Sequence, residues 1–583
     1  MKEKTRILGK VAALEDTIAT LQSQFEKLGF NIVEASWLNP VPNVWSVTVH
    51  DADCRLCSSN GKGTSQKAAL ASALAQHLER LACNYFFVDY YMGIRKPDHT
   101  FYHYPQERWF PATESWPDGL IDDEPLQSLY NAEGTLTPKH LIDTNSGDAA
   151  RGIVALPYVR ISDQKTQWFP VNLINNLYVS NGMAAGNTRE EARAQALSEL
   201  LERHIKFHVI TEALALPDLP EDVLARFPNV LESIVALRQH GYGVLVRDAS
   251  LGGHYPVMSV TLLNPENGSC FASFGAHPRL EVALERALTE LLQGRSLEQL
   301  GIFSEPSFDQ DDVVSHENLE THFIDSSGLM PWSFFCDEAD FEFHDWDFGA
   351  EPVDEYLWLC NIFAEDGHEV YIADYEHLGF YACRAIVPGL SEIYSPDNLE
   401  WDNNNTALPW RHVLLNLHNS DNEQLQELSD WLEEEGTPDQ LSVASLAGIA
   451  PDADSPWEAL RVGHLKLWLS LALQQTDDVP ELCIWAIDLG EASGLDVRLY
   501  RCIAILAGLN TEDGYEAEHY ETSLKALYPA ELLRLARSLL EGSVRFPGLH
   551  DPSLDLTDMK RHRSLIAANE KLQRAMTEYQ ANN

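Results

Sequence analysis

The chain has 583 residues, with 41 Lys and Arg against 89 Asp and Glu, a formal net charge of −48, 45% hydrophobic residues and 10% aromatics. This is the composition of a folded protein, too long for a single hydrophobic core, so two or more domains are expected. So negative a surface repels phosphate backbones and anionic head groups, which excludes broad nucleic-acid or membrane-surface binding and leaves room only for local anion sites.

The opening MKEKTRILGKVAALED carries charges throughout. No run of about 18 apolar residues follows anywhere, so no membrane segment is expected. Nine irregularly spaced Cys do not make a disulfide framework. A cytoplasmic protein is expected.

Leu14, Ile18, Leu21, Phe25 and Leu28 recur at helical spacing and predict a helix over 12–28, followed by strands over 31–38 and 44–50. Strand is expected to give way to helix at Gly61-Lys62-Gly63. Strand character returns over 152–160, 242–248, 257–263, 270–275, 370–373 and 380–387, with helices interleaved. The loop carrying Gly268 makes a hairpin of 257–263 and 270–275, so part of the sheet is antiparallel. The region reads as mixed α/β.

From Ser296 to Cys383 there is no Lys or Arg, while Asp309, Asp311, Asp312, Asp337, Glu338, Asp340, Asp345 and Asp347 concentrate negative charge. A solvated acidic face explains this, and a docking face for a basic partner is the alternative. Beyond about residue 410, helices are expected over 424–435, 457–475, 480–492, 496–508, 524–540 and 560–578. Their pairing resembles tetratricopeptide hairpins, although the 34-residue signature does not recur. Asn403-Asn404-Asn405 and the polar stretch 436–440 are both candidate linkers. Taking the second divides the chain into 1–440 and an all-α domain over 441–583.

The most informative feature is internal similarity. Gly63 to Arg80 aligns without gaps on Gly186 to Arg203, and Arg286 to Gln293 aligns on Gln195 to Glu202. On a helix, positions i, i+4 and i+7 share a stripe, so Ser72, Gln76 and Glu79 stand together, as do Gln195, Glu199 and Glu202, and Arg286, Glu290 and Gln293. Ala196, Leu197, Leu200 and Leu201 form an opposite, apolar stripe that must pack on the sheet. Any single surface helix shows two such faces; recurrence over three points to one shared polar pocket.

Carboxylates converging there repel one another unless a hard cation intervenes, and magnesium, which takes oxygen ligands and bridges carboxylates to nucleotide phosphates, is the natural one. Lys10, Arg203 and Arg286 are candidate phosphate partners. The loops Asn60-Gly61-Lys62-Gly63 and 181–187, feeding helix N-termini, are others. Thr188 with Glu191 reads as a capping box. No Walker A or dinucleotide fingerprint occurs. Cys54 and Cys57 form a lone CxxC that reads as structural thiols, and His204 with His208 lacks the HExxH context of a metal site.

These helices, with Leu8-Gly9-Lys10, Ala12 to Asp16, Ala35 to Val47 and Tyr371 to Gly379, resemble the YcaO family over the whole chain. The resemblance implies a YcaO-type ATP-binding domain that uses ATP and Mg2+ to place phosphate on a peptide amide oxygen, so that a nucleophile can attack the carbon. By position it implies Lys10, Thr17, Ser72, Asn187, Glu191, Arg203 and Arg286 at the nucleotide. It implies Gln76, Glu79, Glu199, Glu202, Glu290 and Gln293 around the metal.

Two departures stand out: Gln76 replaces a customary Glu, removing one anionic ligand, and Ala184 stands where Ser is common. The absence of a proline-rich tail argues against azoline formation and for the branch that assists β-methylthiolation of a small-subunit ribosomal protein. A radical-SAM methylthiotransferase and a basic ribosomal protein are then the expected partners, with no direct nucleic-acid contact and a homodimer left open. The competing readings are a non-catalytic scaffold joining those partners and a carboxylate-bound metal hydrolase that ignores nucleotide.

Overall fold

A computed structural model describes residues 4–92, 101–143, 149–349, 351–399, 405–492, 495–511, 517–553 and 556–582. Asn403 and Asn404 of the first candidate linker lie outside them. The strands in chain order are β1 (Ile32–Val41), β2 (Val44–Asp51), β3 (Ser58–Gly63), β4 (Arg108–Phe110), β5 (Ile153–Arg160) and β6 (Thr166–Pro170). They continue with β7 (Met183–Gly186), β8 (Gly243–Asp248), β9 (Val257–Leu263), β10 (Cys270–Ala276), β11 (Tyr371–Tyr375) and β12 (Tyr381–Ile386).

Sequence reasoning expected one sheet beneath the repeated helices. Three sheets are present instead: β1-β2-β3, β10-β9-β8, and a six-stranded sheet ordered β4-β5-β11-β12-β7 in which β6 also pairs with β5. All ladders between these named strands are antiparallel, so the hairpin of β9 and β10 is typical of the described residues and not an exception.

Each repeated helix lies on its own sheet. The first (Gln66–Ala82) packs on β3 and β2, the second (Arg189–Thr211) on β7 and β12, and the third (Leu280–Leu291) on β10 and β9. The expected apolar stripe of the second, Ala196, Leu197, Leu200 and Leu201, is fully buried. A glycine in each supporting strand permits the close approach. A Cβ added at Gly61 would lie 2.1 Å from the Ala73 nitrogen, at Gly186 2.6 Å from the Ala192 nitrogen, and at Gly275 2.4 Å from the Ala283 oxygen. Both segments read as phosphate-binding loops are therefore largely strand. Asn60 to Gly63 belongs to β3, paired with β2 from His50↔Ser58 to Trp45↔Gly63, and 183–186 is β7. Glycine in them serves helix-on-strand packing.

The C-terminal region is helical. Two expected helices are each broken in two. Residues 457–475 divide into Pro456–Ala459 and Val462–Leu473 because the chain extends at Leu460 and Arg461 to bridge Ser442. Residues 524–540 divide into Glu521–Leu527 and Ala530–Leu540 at Pro529, which lacks an N–H and disfavours helix in the residue before it.

These helices enclose an apolar core that includes Trp457, Leu465, Leu469, Cys483, Leu506 and Leu539. The last helix, Lys560–Asn582, turns back: Leu565, Ala568, Leu572 and Met576 share a core with Phe25, Phe30 and Leu78, and Lys571 pairs with Asp51 (3.3 Å) and Asp53 (2.8 Å). Among the described residues no helix is long and apolar enough to cross a membrane.

Candidate functional site

The polar faces of the three repeated helices, together with the N-terminal segment, wall one cavity of about 810 Å3. Its lining includes Lys10, Thr17, Ser72, Gln76, Glu79, Asn187, Glu191, Glu199, Glu202, Arg203, Arg286, Glu290 and Gln293. The structure thus brings together the thirteen side chains that the resemblance marks for the nucleotide and the metal, although the three helices that carry most of them rest on three different sheets.

The first helix binds the backbone of its own supporting strand. Ser72 Oγ accepts from the Lys62 amide (3.4 Å) and Gln76 Oε1 from the Asn60 amide (3.1 Å). The Asn60 carbonyl accepts from Gln293 Nε2 (2.7 Å). Gln293 lies beyond the third helix, which ends at Leu291, and reaches the cavity from the following turn. Lys62 pairs with Glu290 across the same wall.

The second helix works through charge. Glu199 pairs with Arg203 at 3.1 Å, and the Arg203 guanidinium lies 4.5 Å from the centroid of Phe323. Ala276, the last residue of β10, is held at both its backbone groups: its amide donates to Glu202 (3.1 Å), and its carbonyl accepts from Arg286 (2.7 Å), which also donates to Gln195.

At the other end, Glu191 gathers the N-terminal segment. It accepts from the Val11 amide (3.1 Å) and from Asn187 Nδ2 (3.0 Å), and it pairs with Lys10 (3.3 Å). Thr17 donates to Asn187 Oδ1 at 2.9 Å. The expected capping box is half present. Thr188 Oγ1 accepts from the Glu191 amide, but the Glu191 carboxylate is drawn to Val11, Asn187 and Lys10.

The electrostatics of this wall are those of charge without enough water. Burial pushes the Glu79 carboxyl up to about 8 against the pull of Arg80, with Glu199 adding to the rise. Burial likewise raises Glu202, opposed by Lys62 and Arg286. The Lys62 ammonium falls to about 8 through burial, and Arg286 is held below its usual range for the same reason. Glu191 shows the opposite balance: burial pushes it up, but Lys10 and the Val11 and Asn187 amides hold it below the ordinary carboxylate range.

Among the described residues no three His, Cys, Asp or Glu side chains stand at metal-ligand spacing, so the carboxylates ring the cavity and do not form a cage. The Arg203 Nε and the Asn60 Oδ1 are buried without a partner, and both residues line the cavity. Hard oxygen donors, the raised Glu79 and these two orphaned groups fit a magnesium ion shared with phosphates. Such an ion needs only one or two protein carboxylates.

His277, Glu285 and Arg295 also line the cavity and were not anticipated. His277 sits in the loop after β10 with no periodic signal to mark it, whereas Arg295 is the last cation before the long acidic segment. The set-aside motifs stay apart from the cavity. The Cys54 and Cys57 sulfurs are buried 3.8 Å from each other, and the His204 and His208 rings stack at 6.4 Å.

A family model described as YcaO cyclodehydratase, ATP- and Mg2+-binding, matches residues 60–391, and a model of the YcaO cyclodehydratase C-terminal domain matches 407–578. The chain belongs to the YcaO family. The expected cofactors, ATP and magnesium, are those of its matched YcaO domain.

An uncharacterized protein of Haemophilus influenzae is 48% identical, covering 99% of this chain and all of its own length. The ribosomal protein S12 methylthiotransferase accessory factor YcaO of Escherichia coli is 47% identical with the same coverage. Among solved structures, YcaO from Methanopyrus kandleri bound with AMPPCP and Mg2+ aligns at 18% identity and a TM-score of 0.42, over 67% of this chain and 96% of its own.

Proposed function

We propose that the cavity walled by the three repeated helices binds magnesium and ATP, and that the protein is an accessory factor for β-methylthiolation of ribosomal protein S12, supporting it by activating a peptide amide. The observation that carries this reading is the convergence on one cavity of the thirteen polar side chains that the family resemblance marks by position. The 47% identity to the S12 methylthiotransferase accessory factor directs it to that acceptor.

Lys10, Arg203 and Arg286 supply positive charge for a triphosphate, with the Asn187 amide and Thr17 hydroxyl beside Lys10. Glu79, Glu199, Glu202 and Glu290 supply oxygen ligands from three directions. When bound, magnesium and ATP supply neutralising charge and an electrophilic phosphoryl group. The chain's own part is to hold the cations of the wall at fixed positions. Glu191 fixes Lys10, Ala276 and Gln195 fix Arg286, and Glu199 with Phe323 fixes Arg203. Prior fixation of this kind lowers the reorganisation needed as negative charge shifts. A radical-SAM methylthiotransferase is the partner expected to carry out sulfur transfer, and the basic ribosomal protein is the acceptor.

Isothermal titration with Mg·ATP tests the site: Glu199→Gln is expected to weaken binding at least tenfold, which is about 1.4 kcal/mol. Equal binding by wild type and variant overturns it. One observation favours the second reading, a non-catalytic scaffold. Gln76, already uncharged, has its oxygen engaged by the Asn60 amide and is a poor metal ligand. Phosphate release above a no-protein control, lost in Arg286→Ala, rules out pure scaffolding.

A further inference from the structure

A second cavity, of about 900 Å3, lies between the α/β region and the helices that follow it. It shares Val179 and Tyr394 with the first cavity. One short helix, His316–Ile324, runs past both: His316, Glu317 and Glu320 line the second, while Phe323 and Ile324 line the first. These positions follow i, i+1, i+4 and i+7/i+8 spacing, so a single helical face overlooks both spaces.

The junction is built under strain. Val179, which follows the π-helical turn Ile174–Tyr178, has φ +50° and ψ −109°. A β-branched residue rarely adopts such a conformation, and it persists only where its surroundings impose it. Here the buried Arg384 of β12 donates to the Val179 carbonyl at 2.6 Å. On the opposite side Tyr394 donates to Glu320 and rests its ring 5.3 Å from that of His316.

The lining of the second cavity carries Asp89, Glu317, Glu320 and Glu458 against Arg461 and Arg561. Both arginines are already turned to Glu458, Arg461 donating to its carbonyl (3.2 Å) and Arg561 pairing with its carboxylate (3.5 Å). Four carboxylates against two guanidiniums leave the lining acidic on balance. Asn175, Ser442 and Ser445 add amide and hydroxyl groups suited to a polypeptide backbone.

We infer that this cavity binds an extended, basic segment of the acceptor protein and delivers it past Val179 and Tyr394 into the nucleotide cavity. The helical face spans roughly 12 Å at 1.5 Å per residue, which about four residues of extended chain cover. The inference rests on the reading of S12 as acceptor, and it assigns that acceptor a site distinct from the nucleotide's.

The test measures binding of fluorescein-labelled ribosomal protein S12 to the full chain by anisotropy, alongside Mg·ATP titration. The two variants are Glu317→Arg and Ser445→Arg, both exposed positions outside the nucleotide cavity. Each is expected to weaken S12 binding at least tenfold and to leave Mg·ATP binding unchanged. S12 bound equally by wild type and both variants overturns the cavity assignment and spares the acceptor. Failure of the wild type to bind S12 overturns the acceptor reading, and this inference with it. Joint loss of S12 and Mg·ATP binding in both variants also overturns the inference, because neither side chain touches the nucleotide's space.

Discussion

The first and second repeated helices present the same pattern of small apolar and polar residues, yet their polar stripes are satisfied in opposite ways. Ser72 and Gln76 bind backbone amides of β3 and remain neutral. Glu199 and Glu202 meet a guanidinium and the Ala276 amide, with Gln195 completing the contact to Arg286. A repeated amphipathic pattern therefore specifies where polar groups stand and leaves open whether they close the fold or hold charge for a ligand. In this chain the first helix mainly closes, and the second mainly holds charge.

The comparison can be broken most severely at the strand beneath the first helix. Gly61→Ala places a methyl 2.1 Å from the Ala73 nitrogen. It is expected to cost about 3 kcal/mol or more, read as a lower denaturant midpoint. Next comes Arg286→Ala, which leaves Gln195 and the Ala276 carbonyl without their donor. Mg·ATP affinity is expected to fall tenfold or more, about 1.4 kcal/mol.

The third test is a pH series. Glu79 titrates at about 8 in the fold, raised by burial above its ordinary 4.5, so the folded state binds the extra proton between those values. Its contribution to stability is present below about 4.5 and is lost as pH rises through about 8. Melting temperature in EDTA should fall over that window, and Glu79→Gln should flatten the fall. A slope unchanged by the substitution removes Glu79 as its source.

The smallest effect sharpens the contrast directly. Gln76→Glu gives the first helix the charge of the second. It should tighten Mg·ATP binding by about threefold, some 0.7 kcal/mol, provided the carboxylate still accepts the Asn60 amide. Unchanged or weaker binding shows that Gln76 serves only the strand.

The three helices and their two faces were legible in the sequence because 3.6-residue periodicity is a local property. So was the β9–β10 hairpin, through Gly268 and the strand character on either side. The strand nature of Asn60 to Gly63 was not, since two glycines and an asparagine disfavour strand by intrinsic preference, and only pairing with β2 overrides it. The contact of Lys62 with Glu290 and the double grip on Ala276 join segments far apart in sequence, where no spacing rule reaches. Gln293 shows the middle case: its place in the repeat was readable, but its position beyond the helix end was not, and that position turns it toward the Asn60 carbonyl. The breaks in the C-terminal helices follow the same division, for Pro529 was visible whereas the isolated bridge from Arg461 to Ser442 depends on how the helices pack.

The final helix ties the end of the chain to its beginning. Ser564 contacts Cys54 across 510 residues of chain, and Met576 completes the packing around Phe25. The core around Phe25, although formed mostly by earlier residues such as Leu74 and Leu78, is therefore complete only once the last helix has been made. Cores built wholly from earlier residues, such as the one around Val244, Leu262 and Leu284, can close during synthesis before this one does.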